Sequence, residues 1–243
     1  MCGADCGVYS RTRRPACARQ KGFAFAVTLL ASRPMSFPFA AAFRESLAAQ
    51  CLAFPRRQHV GDARLRPAAV ALTLVEADDG SGETAFLLTR RAAALRAHSG
   101  QWALPGGRCD QGETAEQAAA RELEEELGLK LPHEHILGAL DDYPTRSGYV
   151  ITPVIAWLDD ASALAPSPHE VASVHRIRLD HIARDDSIAF PTIPESDRPL
   201  VQVSIGEQFI NAPTAAMVYQ LRELVAGRVT RVAHFEQPVF AWR

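Results

Sequence analysis

The chain has 243 residues, of which 47% are hydrophobic and 22% are charged, and this balance supports a substantial core. Its formal net charge is −2, so the chain lacks the excess of positive charge that is typical of proteins that bind nucleic acid or an anionic membrane surface. No apolar run approaches the ~20 residues that a membrane-spanning helix needs. The five cysteines lack the spacing of a disulfide framework, so a reducing compartment, the cytoplasm, is expected.

Residues 1–34 differ in character from the rest of the chain. A basic stretch at 11–21 precedes an apolar run at 23–31, which is the outline of a signal peptide, but the following Ser-Arg-Pro is a poor cleavage site. An organelle-targeting peptide and an over-extended gene start upstream of Met35 are the alternatives. We favour the over-extended start and expect this segment to be disordered or loosely packed, with residues 35–243 as one domain.

The region ahead of residue 90 is predicted to contain one helix and one hairpin. Apolar residues spaced by four predict an amphipathic helix over 40–52. The apolar run at 68–75 predicts a strand. The turn sequence Asp-Asp-Gly-Ser-Gly at 78–82 joins it to a second apolar run at 84–89, so the two strands should pair as a hairpin.

The region after residue 130 is predicted to add strands and one helix. The expected strands cover 136–140, 149–158 and 171–179, and residues 201–210 are expected to form one arm of a hairpin. Three prolines among polar residues predict a long loop over 185–199. Pro213 suits the first turn of a helix that runs to about residue 225. This arrangement, without an internal repeat, predicts an α/β domain with a mixed sheet and helices on both faces.

The stretch 107–129 carries most of the chemistry, and its central part, 114–127, is predicted to be a helix. That part is rich in strong helix formers and contains no proline or glycine. Its apolar residues recur every fourth position and should face the core: Ala115, Ala119, Leu123 and Leu127. Gly128 can take the left-handed conformation that ends a helix. Upstream, Gly106 and Gly107 permit a tight turn into the helix.

Three glutamates of this helix, Glu122, Glu125 and Glu126, fall within an arc of roughly 100°. Each like-charge pair at this spacing is destabilising by about 0.2–0.5 kcal/mol, so three acids beside a buried stripe need a positive partner. Hard divalent cations that prefer oxygen ligands, Mg²⁺ or Mn²⁺, suit this position. The alternative is a solvated acidic face, which the run of glutamates alone leaves open.

The same stretch resembles the Nudix box. The pattern is G-x5-E-x7-R-E-U-x-E-E-x-G-U, where U is a bulky aliphatic residue, and every position matches between Gly107 and Leu129. The resemblance implies a Nudix-type α/β/α sandwich with a mixed β-sheet and an enzyme that hydrolyses a diphosphate. It also implies that Glu122, Glu125 and Glu126 bind Mg²⁺ or Mn²⁺.

The resemblance further implies roles for individual residues of the box. Glu125 and Glu126 are expected to be catalytic. Arg121 is expected to orient a glutamate through an ion pair, with Glu113 as its partner. The acceptor for the proton of the attacking water varies across the family, so a glutamate of the helix and a residue on a distant loop both remain open.

Residues 87–107 resemble an additional signature of the coenzyme A pyrophosphatase branch of the Nudix hydrolases. They begin with Leu-Leu-Thr-Arg-Arg-Ala and end with Leu-Pro-Gly-Gly, where Leu104 replaces the usual aromatic residue. Arginine can engage two phosphate oxygens at once, so the signature implies substrate contacts. The expected substrate-binding residues are Arg91, Arg96, Gly106 and Gly107, and Arg90 is a further candidate for phosphate contact.

Three functions therefore remain, in order of preference. The first is hydrolysis of coenzyme A or acyl-coenzyme A. The second is a Nudix hydrolase for another nucleoside diphosphate derivative, such as a nucleotide sugar, NADH or a dinucleoside polyphosphate. The third is a catalytically silent Nudix-fold binding module. The expected partner is a small nucleotide rather than nucleic acid, a homodimer is one option for the oligomeric state, and organelle targeting is an alternative to the cytoplasm.

Overall fold

The structure is a computed structural model that describes residues 35–60, 62, 64–93 and 100–242, and the helices named below lie within these residues. The α-helices are α1 (Ala41–Ala53), α2 (Ala115–Leu127), α3 (Leu179–Ala183) and α4 (Thr214–Val225), and short 3₁₀ helices cover His133–His135, Asp185–Ser187 and Val239–Trp242. The predictions for residues 1–34 lie outside the described residues.

Local interactions that the sequence encodes close both ends of α2. Thr114 Oγ1 accepts a hydrogen bond from the Gln117 backbone N–H at 3.2 Å, and the Gln117 side chain accepts one from the Thr114 backbone N–H at 2.9 Å. At the other end Gly128 adopts a φ of 70°, in the left-handed region. The predicted helix is confirmed, as are those predicted over 40–52 and 213–225.

The strands of the described residues form two sheets. They are β1 (Arg66–Glu76), β2 (Thr84–Arg91), β3 (Trp102–Ala103), β4 (Gly106–Arg108), β5 (Ile136–Ala139), β6 (Tyr143–Pro144), β7 (Tyr149–Trp157), β8 (Val171–Arg178), β9 (Ile188–Ala189), β10 (Gln202–Ile205) and β11 (Gln208–Asn211). In the larger sheet β1 pairs antiparallel with β2 and β4 and parallel with β7. β3 and β8 pair with β2, and β5 and β6 pair with β7, whereas β9, β10 and β11 form a small antiparallel sheet.

Helices cover both faces of the larger, mixed sheet. On one face α2 packs through Leu123 and Leu127 against a buried cluster that includes Leu87 of β2. On the other face α1 and α4 contribute Leu47 and Leu221 to a second cluster. The predicted α/β/α sandwich is confirmed. None of the helices in the described ranges is long and apolar enough to cross a membrane.

Three predictions are corrected by the structure. Residues 201–210, expected to be one arm of a hairpin, contain β10 and most of β11, because the chain turns back at Gly206 with a φ of 58°. Gly106 and Gly107, expected in a tight turn, lie in β4 and pair with β1. The expected loop at 185–199 contains a 3₁₀ turn and the short strand β9, which pairs with β10.

Candidate active site

A cavity of about 670 Å³ is enclosed by residues of both sequence motifs and by the C-terminal part of the chain. Its charged and glycine-rich side is lined by Arg90, Arg91, Gly106, Gly107, Arg108, Glu122, Glu126 and Glu170. The C-terminal part of the chain contributes mainly residues 208–214 and Met217 to the lining. Most of the predicted site residues are thereby brought together, whereas Glu113, Arg121 and Glu125 lie behind the lining.

The helix α2 places two of its glutamates in the cavity wall. Glu126 follows the buried Leu123 by three residues, and only 5% of its surface is exposed. Burial raises the pKa of Glu126 to about 8, and the negative charge of Glu122 acts in the same direction. Arg91 and the Gly106 N–H oppose this rise in pKa. Burial also raises the pKa of Glu122, so the wall contains two carboxylates that are costly to ionise.

Arg121 connects the acids around the cavity. Its Nε and Nη2 donate to the two carboxylate oxygens of Glu113 at 2.9 and 3.0 Å, so the predicted ion pair is present. Its Nη1 donates to Glu122 at 2.8 Å and to Glu125 at 3.2 Å. Its Nη2 also donates to the carbonyl of Arg108 at 3.0 Å, which fixes the loop ahead of α2. The Glu125 side chain is 57% exposed and is not part of the cavity lining.

The charge distribution of this wall fits a divalent cation. Glu126 is buried and Glu122 is partly buried, and the exposed Glu170 adds another carboxylate at the same cavity. Carboxylate oxygens are ligands that Mg²⁺ and Mn²⁺ prefer. Within the described ranges, no three acidic, histidine or cysteine side chains are already grouped as a metal site. The metal-ligand roles of Glu122, Glu125 and Glu126 therefore stay predictions.

The two glycines of β4 are needed because their neighbours lie too close for a side chain. A Cβ on Gly106 would lie 2.3 Å from the Ala69 carbonyl oxygen and 2.6 Å from the Val70 Cα. A Cβ on Gly107 would lie 2.1 Å from Oε1 of Glu122. Gly106 therefore permits the packing of β4 on β1, and Gly107 leaves room for an acidic side chain of the cavity.

Replacing Gly107 with alanine should leave the protein folded and weaken its activation by metal by about tenfold. The new Cβ would displace the Glu122 carboxylate, which is the mobile end of its side chain. Groups that orient metal ligands typically contribute about 10–100-fold to metal affinity. The dependence of the hydrolysis rate on Mg²⁺ concentration measures this effect. Glu124→Gln is the control, because Glu124 is exposed on the same helix and does not line the cavity; equal Mg²⁺ dependence of the two variants would contradict the prediction.

Two arginines of the cavity lining form no ion pair within the described residues. The Nε of Arg91 is buried and has no hydrogen-bond partner there. Arg90 lies over the Trp102 ring at 4.8 Å and donates from Nη1 to Gln208 Oε1. Arg91 is thus placed to bind an anion, in agreement with its predicted role, which stays a prediction. Arg96, the other predicted phosphate-binding arginine, lies outside the described residues.

Glu170 and Gln208 are among the cavity residues that sequence reasoning did not find. Glu170 precedes β8, and its carbonyl accepts a hydrogen bond from the Ala92 N–H at 2.8 Å, which holds its loop beside the end of β2. Gln208 accepts from Arg90 and, at 3.1 Å, from Trp102 Nε1. No local pattern marks either residue, because both are brought to the cavity by contacts that are distant in sequence.

Comparisons with known proteins give the following similarities. The family model of the NUDIX domain matches residues 64–198. The chain is 32% identical over 147 residues to the uncharacterized Nudix hydrolase NudL of Pectobacterium atrosepticum, a match that covers 59% of this chain and 76% of that protein. It is 38% identical over 123 residues to the mitochondrial coenzyme A diphosphatase NUDT8 of Mus musculus, covering 49% and 58% of the two chains. The structure of a MutT/nudix family protein from Enterococcus faecalis matches with a TM-score of 0.48 and 18% identity, covering 74% of this chain and 66% of that chain.

Proposed function

Because the chain belongs to the Nudix hydrolase family, we propose that it hydrolyses the diphosphate of coenzyme A or its acyl derivatives. Members of the family act on small nucleotides and generally use divalent metals such as Mg²⁺ or Mn²⁺. The products would be (acyl-)4′-phosphopantetheine and adenosine 3′,5′-bisphosphate. The observation that supports this best is a cavity that brings the buried Glu126 and the partly buried Glu122 together with two arginines, Arg90 and Arg91, that form no ion pair within the described residues.

The cations of the cavity suit a substrate that carries more charge than a diphosphate alone. Arg90, Arg91 and Arg108 line the same side. Coenzyme A has a 3′-phosphate in addition to its diphosphate, and arginine donors that no carboxylate uses are available to phosphate oxygens. The signature at 87–107 and the similarity to the mouse coenzyme A diphosphatase support the same substrate.

The acidic side of the cavity supplies the ligands for metal. Glu122, Glu125 and Glu126 would hold one or more Mg²⁺ or Mn²⁺ ions, and Arg121 positions Glu122 through its ion pair. When bound, the metal would neutralise the diphosphate and lower the pKa of an attacking water. Glu170 offers a carboxylate from the loop ahead of β8. Either Glu170 or a glutamate of α2 accepts the proton of that water.

The substrate side of the cavity depends on backbone as much as on side chains. Gly106 and Gly107 of β4 line the cavity without contributing side chains to it. This leaves room for the diphosphate close to the acidic residues. Arg91 binds a phosphate oxygen with the Nε that lacks a partner in the described residues.

A substrate panel tests this proposal. The full-length protein is incubated with Mg²⁺ and coenzyme A, acyl-coenzyme A, NADH, ADP-ribose or a dinucleoside polyphosphate, and the products are separated by chromatography. We expect the highest kcat/KM for a coenzyme A substrate, with adenosine 3′,5′-bisphosphate as one product. Higher kcat/KM for another substrate would overturn the coenzyme A assignment, and no turnover of any substrate would overturn the proposed enzyme.

A further inference from the structure

One wall of the cavity is contributed by residues beyond 198, where the match to the family ends. It is formed by β11, the start of α4 and the C-terminal turn, with Phe209, Ile210, Met217 and Phe240 as its large apolar side chains. None of the described lining residues beyond position 198 carries a charge. A substrate group that reaches this wall should therefore be uncharged, because a buried charge would find no partner there.

Two aromatic rings of this wall are open to water. Phe209 and Phe240 keep 54% and 55% of their surface exposed, whereas Ile210 and Met217 behind them are buried. Phe190 is similarly exposed at 48%, but it does not line the cavity. Covering exposed apolar surface is favourable, so the two rings provide binding energy to a ligand with an apolar group.

The apolar wall is held at a defined position relative to the cations. Gln208, the residue before Phe209, accepts hydrogen bonds from Arg90 Nη1 and from Trp102 Nε1. These contacts join β11 of the small sheet to the end of β2 and to β3 of the larger sheet. The apolar and cationic sides therefore face one ligand as parts of one site.

We propose that this wall binds the acyl chain of an acyl-coenzyme A and makes acyl-coenzyme A the preferred substrate. The inference rests on the proposed function. The nucleotide end of coenzyme A carries the 3′-phosphate and belongs with Arg90 and Arg91, whereas the acyl-pantetheine arm is uncharged and matches the uncharged wall. Each methylene that is fully buried strengthens binding about fourfold, so a medium-length chain gains substantially over free coenzyme A.

The test is the ratio of kcat/KM for octanoyl-coenzyme A to kcat/KM for coenzyme A. We expect a ratio of about ten or more for the unmodified protein. Phe209→Ala should reduce the ratio to about three or less. Phe190→Ala is the matched control, because it removes an equally exposed ring outside the cavity, and it should keep the original ratio. A ratio near one for the unmodified protein would overturn the inference. The same ratio for Phe209→Ala and Phe190→Ala would also overturn it.

A binding measurement separates this inference from the proposed hydrolysis. Calorimetry in EDTA compares the affinities of coenzyme A and octanoyl-coenzyme A without turnover. We expect octanoyl-coenzyme A to bind at least about tenfold more tightly, and Phe209→Ala to remove most of the difference. If the protein hydrolyses neither compound, the proposed function fails while this comparison still decides the role of the wall. Equal affinities for the two ligands would overturn the inference.

Discussion

Replacing Glu126 with glutamine should reduce kcat about a thousandfold or more while the protein stays folded. Glu126 lines the cavity and is almost fully buried, so the substitution removes a charge from the place where we propose that metal and diphosphate meet. Loss of one well-placed electrostatic group in a water-poor site typically reduces rates by about 10²–10³, and a direct metal ligand should contribute at least as much. Steady-state kinetics with saturating Mg²⁺ measure the effect.

Glu124→Gln is the matched control for this experiment. It makes the same chemical change on the same helix, but Glu124 is exposed, lies 3.9 Å from Lys130 and does not line the cavity. It should retain near-normal turnover. Glu125→Gln should also reduce kcat by several orders of magnitude if Glu125 turns inward to bind metal, as its place in the motif predicts. Near-normal turnover in both Glu125→Gln and Glu126→Gln would refute the metal assignment.

The same Glu126→Gln substitution should stabilise the metal-free protein at pH 8. Burial raises the pKa of Glu126 from 4.5 to about 8 in the folded state. Below pH 4.5 the Glu126 carboxyl is protonated in both the folded and the unfolded state, so it does not change the free energy of unfolding. Above pH 4.5 it ionises in the unfolded state but stays protonated in the folded state, so the free energy of unfolding falls as the pH rises to about 8. At about 1.4 kcal/mol per pKa unit, the gain on substitution is on the order of 3–5 kcal/mol at pH 8.

Urea unfolding in EDTA, compared at pH 5 and pH 8, measures this gain. The stability difference between Glu126→Gln and the unmodified protein should be small at pH 5 and large at pH 8. Added Mg²⁺ should stabilise the unmodified protein more than the variant, since stabilisation by a ligand that binds only the folded state grows with the logarithm of its concentration divided by its Kd. A variant less stable than the unmodified protein at pH 8 would show that the Glu126 charge is compensated within the fold.

Much of the fold could be predicted because its signals are local. The helix α2 combines a capping box at Thr114, an apolar repeat through Leu123 and Leu127, and a terminal glycine. The hairpin of β1 and β2 followed from a short turn between two apolar runs. The position of Glu126 near the buried stripe was also readable, since it lies three residues after Leu123 on the same helix. Such interactions involve neighbours within a few residues, so periodicity and turn chemistry describe them.

The sequence by itself determined that the chain contains an acidic helix, a glycine pair and an arginine-rich segment with the spacing of a diphosphate hydrolase. Only the tertiary structure decided that Glu126 is buried while Glu125 is exposed, and that Glu170 and Phe209 join the same cavity. The hydrogen bond between Arg90 and Gln208 spans 118 residues. No local pattern specifies such a contact, because it depends on how two sheets pack and not on the residues that surround either side chain.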